Sequence, residues 1–193
     1  MHFYQLNILL SCCKIEIENN TEVFRMKKIM ILNGAGRKNG STSALVKAFT
    51  EGAESAGNEV REFFLQNMNI RGCIGCEGCT RNGGKCVQKD DMEQLTEAFL
   101  WADVVVFASP IYWGTITGTL KTAIDRLYAV QNRLGIENFK KQMVLIMTSR
   151  GNYYDMGKQQ FSMFEGFMKW DNLGEILGAE KLNEAKALGE SIG

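Results

Sequence analysis

The chain reads as a three-layer α/β domain built on a parallel sheet, and three observations say so. Short, unbroken apolar runs at residues 29–32, 104–108 and 143–147 alternate with segments whose apolar residues recur at helical spacing. The runs are too uniformly apolar for a sheet with one face in water. Each of them ends in a loop rich in glycine or hydroxyl residues, where the carboxyl ends of parallel strands gather a ligand.

In order, residues 29–32 form the first strand and enter the turn Asn33-Gly34-Ala35-Gly36. Residues 41–56 form a helix with Ala44, Leu45, Ala48, Phe49 and Ala53 on one face, stopped by Gly57-Asn58. Residues 59–65 make a second strand, and Arg61 and Glu62 mark it as an edge. A cysteine-rich loop occupies residues 66–89. Asp90 or Asp91 caps the next helix, with Glu93 in its first turn and Met92, Leu95, Phe99 and Ala102 as its apolar stripe. Residues 104–108 are the clearest central strand, followed by the chain's one proline, Pro110. Leu120, Ala123, Ile124, Leu127 and Tyr128 mark a third helix, and residues 143–147 a further strand ending at Thr148-Ser149-Arg150-Gly151. Phe161, Phe164 and Met168 suggest a helix, residues 173–177 a last short strand, and Ala185, Leu188 and Ile192 a closing helix.

Bulk properties narrow the function. With 193 residues the chain is long enough for one well-buried domain. Lys plus Arg and Asp plus Glu both number 22, so the electrostatic footprint of a nucleic-acid binder is missing. No apolar run approaches the roughly 18 residues of a membrane span. His2 is the one histidine, which argues against histidine-based catalysis and points to a cofactor as the reactive group. Residues 1–25 read as an extension of unknown status, with Ile15 to Glu18 alternating as a half-buried strand would; the domain proper is 26–193.

Two loops carry the chemistry. Gly34 to Ser43 lacks the third glycine of a dinucleotide fingerprint, because Asn39 stands there, and lacks the P-loop lysine. It still delivers Ser41, Thr42 and Ser43 to a helix N-terminus, where unpaired N–H groups favour a phosphate; the alternative is that Ser41 simply caps the helix. Ser109-Pro110-Ile111-Tyr112-Trp113-Gly114 combines a fixed dihedral, a tight turn and two flat side chains after the central strand, which suits a planar ring or, alternatively, ordinary core packing.

These loops, with Ile31-Leu32-Asn33-Gly34, Gly118-Thr119-Leu120-Lys121 and Asp125-Arg126, resemble the flavodoxin-like family of NADPH-dependent FMN reductases and its iron–sulfur flavoprotein branch over about residues 26–178. The resemblance implies a flavodoxin-like sandwich whose five parallel strands run in the order 2-1-3-4-5 and bind FMN without a covalent bond. The phosphate would be held by Arg37, Asn39, Ser41, Thr42 and Ser43. Pro110, Ile111, Tyr112, Trp113 and Gly114 would line the isoalloxazine, with Thr148, Ser149, Arg150 and Gly151 on its other side. Two positions depart from the pattern: Ala35-Gly36 stand where the family often has Ser-Pro, and Arg150 sits in a loop that normally carries small residues. Lys121 and Asp125, one helical step apart, read as an exposed ion pair.

Cys73, Cys76, Cys79 and Cys86 form the spacing Cys-x2-Cys-x2-Cys-x6-Cys on a glycine-rich loop. The iron–sulfur branch uses a compact run of this kind, so a 4Fe-4S cluster is one reading; free thiols, as in cluster-free reductases, and zinc are the others. The loop follows the second strand and is expected to fold over the carboxyl end of the sheet. Cys12 and Cys13 lie outside the motif and read as inert.

The expected function is an FMN-dependent oxidoreductase taking electrons from NAD(P)H and passing them to a small redox acceptor. The alternative is an iron–sulfur flavoprotein relaying electrons between protein partners, such as a ferredoxin-like protein. With no export signal apparent, a cytoplasmic location is expected. Phe161, Met163, Phe164, Phe167, Met168 and Trp170 crowd one segment, and a homodimer or homotetramer is expected from them and from the resemblance.

Overall fold

The computed structural model describes residues 25–193; the readings on Ile15 to Glu18, Cys12 and Cys13 lie outside the described residues. The strands are β1 Lys28–Asn33, β2 Glu59–Phe64, β3 Val104–Pro110, β4 Gln142–Thr148 and β5 Asp171–Leu177. They pair in parallel in the order β2-β1-β3-β4-β5, as expected. Helices α1 Ser41–Ser55, α2 Gly78–Arg81, α3 Met92–Trp101, α4 Gly118–Arg126, α5 Tyr128–Leu134, α6 Asp155–Gln159, α7 Ser162–Gly166 and α8 Leu182–Glu190 complete the chain. The polar strand β2 is at an edge, where Arg61 lies over the Trp101 ring.

Alternation along the buried strands builds two cores. Ile29, Ile31, Val104, Val106, Ala108, Val144 and Ile146 face α1 and α8. Met30, Leu32, Val105, Phe107, Met143, Leu145 and Met147 face α3, α4, α5 and the segment around α7. A Cβ on Gly52 would stand 2.0 Å from the Lys186 carbonyl oxygen, so a glycine is what lets α1 and α8 meet so closely.

The segment around Phe161 departs from expectation in two ways. It is two short helices, α6 and α7, instead of one. Phe161, Phe164, Met168 and Trp170 are buried within the chain itself, packed with Phe99, Phe107 and Phe139; of the crowded residues Met163 and Phe167 face outward. Most of the apolar surface that suggested a subunit contact is therefore covered by the chain's own core. The α3 cap also differs: Asp91 occupies the cap position but its side chain does not cap the helix and accepts from the Asn69 N–H instead, while Asp90 accepts from the Met92 N–H.

In this strand order β2 lies on one side of β1 and β3 on the other, so the chain crosses in opposite directions from β1 and β3. The cleft between their carboxyl ends is the switch point at which such sheets take ligands.

Candidate functional site

The glycine loop leaves β1 at that point. Asn33 is fully buried, and its side chain holds the loop from beneath. Its Nδ2 donates to Glu62 Oε1 at 2.7 Å and to Ser43 Oγ at 3.2 Å, and its Oδ1 accepts from the Ala35 N–H at 3.0 Å. Ser43 in turn donates to the Arg37 carbonyl, 3.1 Å away. Gly40, extended and without a capping side chain, precedes α1, so Ser41 is not its cap. Ser41 is exposed in the first turn, which contains no acidic residue. The first N–H groups of a helix have no intrahelical partner, and together with the helix dipole they attract an anion. Thr42 is buried, and its hydroxyl bonds that of Thr148 at 2.7 Å, tying α1 to the end of β4.

The loop after β3 is tied to the glycine loop by two buried hydroxyls. Ser109 Oγ accepts from the Thr117 N–H at 2.9 Å, and Thr117 Oγ1 donates to the Gly34 carbonyl at 2.9 Å while capping α4. A Cβ on Gly34 would meet Thr117 Oγ1 at 2.7 Å, so the backbone comes this close because the position is glycine. Between these anchors Tyr112 and Thr115 exchange backbone hydrogen bonds around Trp113 and Gly114, whose φ values are 51° and 89°. Positive φ at both central residues is the pattern of a type I′ turn, a conformation unfavourable for tryptophan. The Trp113 side chain is fully exposed.

The two loops and the segment after β4 enclose a cavity of about 910 Å³. Among the expected residues, Arg37, Ser41, Thr42, Pro110, Ile111, Tyr112, Gly114, Thr148, Ser149 and Arg150 line it. Asn39, Ser43, Trp113 and Gly151 do not: Asn39 and Trp113 point into solvent, and Ser43 turns under the loop toward Asn33 and Arg37. The lining also includes Asn152, Tyr153, Asp155, Met156 and Ala179, which no motif singled out. Its volume lies in the range of small-molecule sites. Polar residues reach it both from the glycine loop and start of α1 and from the segment after β4, while Pro110 and Ile111 of the loop after β3 supply an apolar wall.

The four cysteines line a second, small pocket of about 60 Å³ with apolar Ile74, Val87 and Ala129, the Tyr128 ring, and the charged residues Glu77, Asp125 and Arg126. It shares no lining residue with the first cavity. Instead of folding over the carboxyl end of the sheet, the loop packs on the last turn of α4 and on α5, where the Asn132 amide lies 3.5 Å from Cys79 Sγ. All four cysteines are free of disulfides. Among the described residues no three His, Cys, Asp or Glu side chains converge on one metal-sized point. The donor set nevertheless suits a thiolate-bound group, with four thiols around one pocket and left-handed glycines at Gly75, Gly83 and Gly84 bending the loop.

One buried ion pair clasps this loop. Arg126 forks onto Asp90 through Nη1 at 2.8 Å and Nη2 at 3.0 Å, and Nη1 also donates to the Arg71 carbonyl at 2.7 Å. Asp90 accepts from the N–H groups of Arg71 and Met92 as well, so one carboxylate gathers both ends of the loop. Burial pushes the Asp90 carboxyl up, but the Arg126 guanidinium and those N–H groups outweigh it and hold its pKa below the usual carboxylate range. Burial likewise opposes the charge of Arg126, and Asp90 and Cys86 beside it hold its pKa above its ordinary value. Lys121 and Asp125 form the expected exposed pair.

The chain belongs to the NADPH-dependent FMN reductase family, whose profile matches residues 27–172. It is 37% identical over 103 residues to an iron–sulfur flavoprotein of Methanocaldococcus jannaschii, covering 53% of this chain and 52% of that protein. It is 31% identical over 160 residues to YwqN of Bacillus subtilis, named for an NAD(P)H-dependent FMN-containing oxidoreductase, covering 78% and 84%. The chain spans about half the length of the iron–sulfur flavoproteins of Methanocaldococcus jannaschii and Archaeoglobus fulgidus that it matches. Among solved structures, an NAD(P)H:quinone oxidoreductase from Methanothermobacter marburgensis aligns with a TM-score of 0.68 at 19% identity, over 86% of this chain and 96% of that one, and shares the fold.

Proposed function

We propose that the chain is an FMN-dependent oxidoreductase that takes electrons from NAD(P)H and delivers them to a small acceptor such as a quinone or a free flavin. The observation that carries this reading is a single cavity joining an anion-attracting helix N-terminus to the partly apolar loop after β3 at the switch point of the sheet. FMN, when bound, supplies the redox chemistry that the side chains of this cavity lack. Arg37, Ser41 and the first N–H groups of α1 hold its phosphate. Asn33, Ser43 and Thr42 keep those donors in place. Pro110, Ile111, Tyr112 and Gly114 support the ring, Thr148, Ser149 and Arg150 bound its other side, and Tyr153 and Met156 shield it from water. The absence of a dinucleotide fingerprint favours FMN over FAD.

Anaerobically purified protein should release FMN on heating and oxidise NAD(P)H when a quinone is added. Release of FAD, or no turnover with any small acceptor by FMN-loaded protein, would count against the reading.

A second reading rests on the cysteine pocket. Cys73, Cys76, Cys79 and Cys86 would hold a 4Fe-4S cluster, and the chain would relay single electrons, with a ferredoxin-like protein as partner. The names of the iron–sulfur flavoproteins it resembles support this. Protein incubated with iron and sulfide should take up both, and Cys76→Ser should abolish the broad visible absorbance while leaving FMN bound. A homodimer or homotetramer is supported by the apolar surface left exposed at Trp113, Tyr153, Met156 and Phe167. A thiolate site favours the reducing cytoplasm. Among the described residues no helix is long and apolar enough to cross a membrane.

A further inference from the structure

The cysteine pocket contains one charge that the surrounding structure has buried. Three charged residues line it: Glu77 and Asp125 are exposed, and Asp125 is paired with Lys121. Water screens both of those. Arg126 is 3% exposed. Its two terminal nitrogens are taken by Asp90 and the Arg71 carbonyl, but among the described residues its buried Nε–H has no acceptor in good hydrogen-bond geometry. An orphaned N–H of this kind on a charged side chain is costly, and charged groups are seldom left so unless another partner arrives. Cys86 stands beside the guanidinium and lines the same pocket. Asp90, by contrast, is not part of the lining, so the positive end of the pair is the one presented to the thiols.

We propose that Arg126 is the cationic wall of the cysteine pocket, positioned by Asp90 so that it favours the more negative state of a thiolate-held redox group. This rests on the cluster reading above and adds what this chain's own arginine does to that group. Uptake of one electron makes a four-thiolate cluster more negative by one unit of charge. A fixed guanidinium nearby lowers the free energy of the reduced form relative to the oxidised one. Arg126 therefore raises the midpoint potential and, through its Nε–H, completes the hydrogen bonding to thiolate sulfur. At an effective dielectric constant of about 20, Coulomb's law makes one unit charge worth about tenfold in the reduced-to-oxidised ratio at roughly 12 Å, and more when closer.

The test uses the full chain, loaded anaerobically with iron and sulfide and reduced stepwise with dithionite as electron donor. Electron paramagnetic resonance reads the cluster separately from flavin. Arg126→Gln should lower the reduced-to-oxidised ratio at a fixed potential about tenfold or more, a fall of about 59 mV for a one-electron couple. Arg126→Lys, which keeps the charge, should recover most of that shift. Because Arg126→Gln leaves Asp90 buried and unpaired, the neutral pair Asp90→Asn with Arg126→Gln serves if the single variant does not fold; its potential should fall as well. Unchanged potentials in these charge-removed variants, or equal falls in the glutamine and lysine variants, overturn the proposal while leaving the cluster reading standing. Wild-type protein that takes up neither iron nor sulfide overturns both.

Discussion

Replacing Asn33 with alanine should both destabilise the protein and loosen its cavity. The Asn33 side chain is fully buried and makes three hydrogen bonds, to Glu62, Ser43 and the Ala35 N–H, at 2.7, 3.2 and 3.0 Å. Each is worth about 1 kcal/mol net, the Glu62 bond included because that carboxylate is exposed to water. The loss is then about 3 kcal/mol, part of it from leaving the buried Ala35 N–H without an acceptor. For a chain of this size it corresponds to a fall in Tm of roughly 6–12 °C. Urea unfolding of flavin-free protein at neutral pH measures the first effect, and FMN titration by fluorescence quenching the second. Glu62→Ala removes one of the three bonds and should cost about 1 kcal/mol. If Asn33→Ala changes stability by less than about 0.5 kcal/mol, the buried amide does not hold the loop and the reasoning fails.

Trp113→Asn should stabilise the protein by about 1 kcal/mol, since asparagine tolerates the left-handed conformation, forms the preferred Asn-Gly pair of a type I′ turn, and removes no packing within the chain; a loss of stability by thermal unfolding contradicts this. Acid should weaken the wild type more than Asp90→Asn. The folded-state pKa of Asp90 is depressed, so its contribution is complete above the unfolded value of about 3.9 and disappears as pH falls through the lower folded value. Unfolding free energies measured from pH 6 to pH 3 should thus converge between the two proteins, and parallel curves would refute the assignment.

The sheet could be read from the sequence because its strands are continuous apolar runs and its edge announces itself through Arg61 and Glu62. The α1 end of the cavity was legible as a candidate because Ser41 and Thr42 stand at a helix start, where a hydroxyl residue either caps the helix or faces a ligand. Tyr153, Asp155 and Met156 were not, since Tyr153 lies in a loop and Asp155 and Met156 open a helix of five residues, too short to show a period, and all reach the cavity through tertiary packing. The aromatic segment around Phe161 was misjudged because a dense apolar pattern looks the same whether a neighbouring subunit or Phe107 on β3 covers it. Asp90 and Arg126 were each legible locally, as a helix cap and a helix end. Their pairing across 36 positions was not, because only the fold brings them together.

Comparing FMN with riboflavin on flavin-free protein tests the central claim most directly, because the two ligands differ only in the phosphate assigned to Arg37, Ser41 and the start of α1. Two charge-assisted hydrogen bonds at about 1.5 kcal/mol each already amount to more than 100-fold in Kd, on the order of 3 kcal/mol. FMN should therefore bind at least about 100-fold more tightly than riboflavin, with the difference largely lost in Ser41→Ala combined with Arg37→Ala. Equal affinities for the two ligands in the wild type would show that the helix N-terminus does not hold a phosphate.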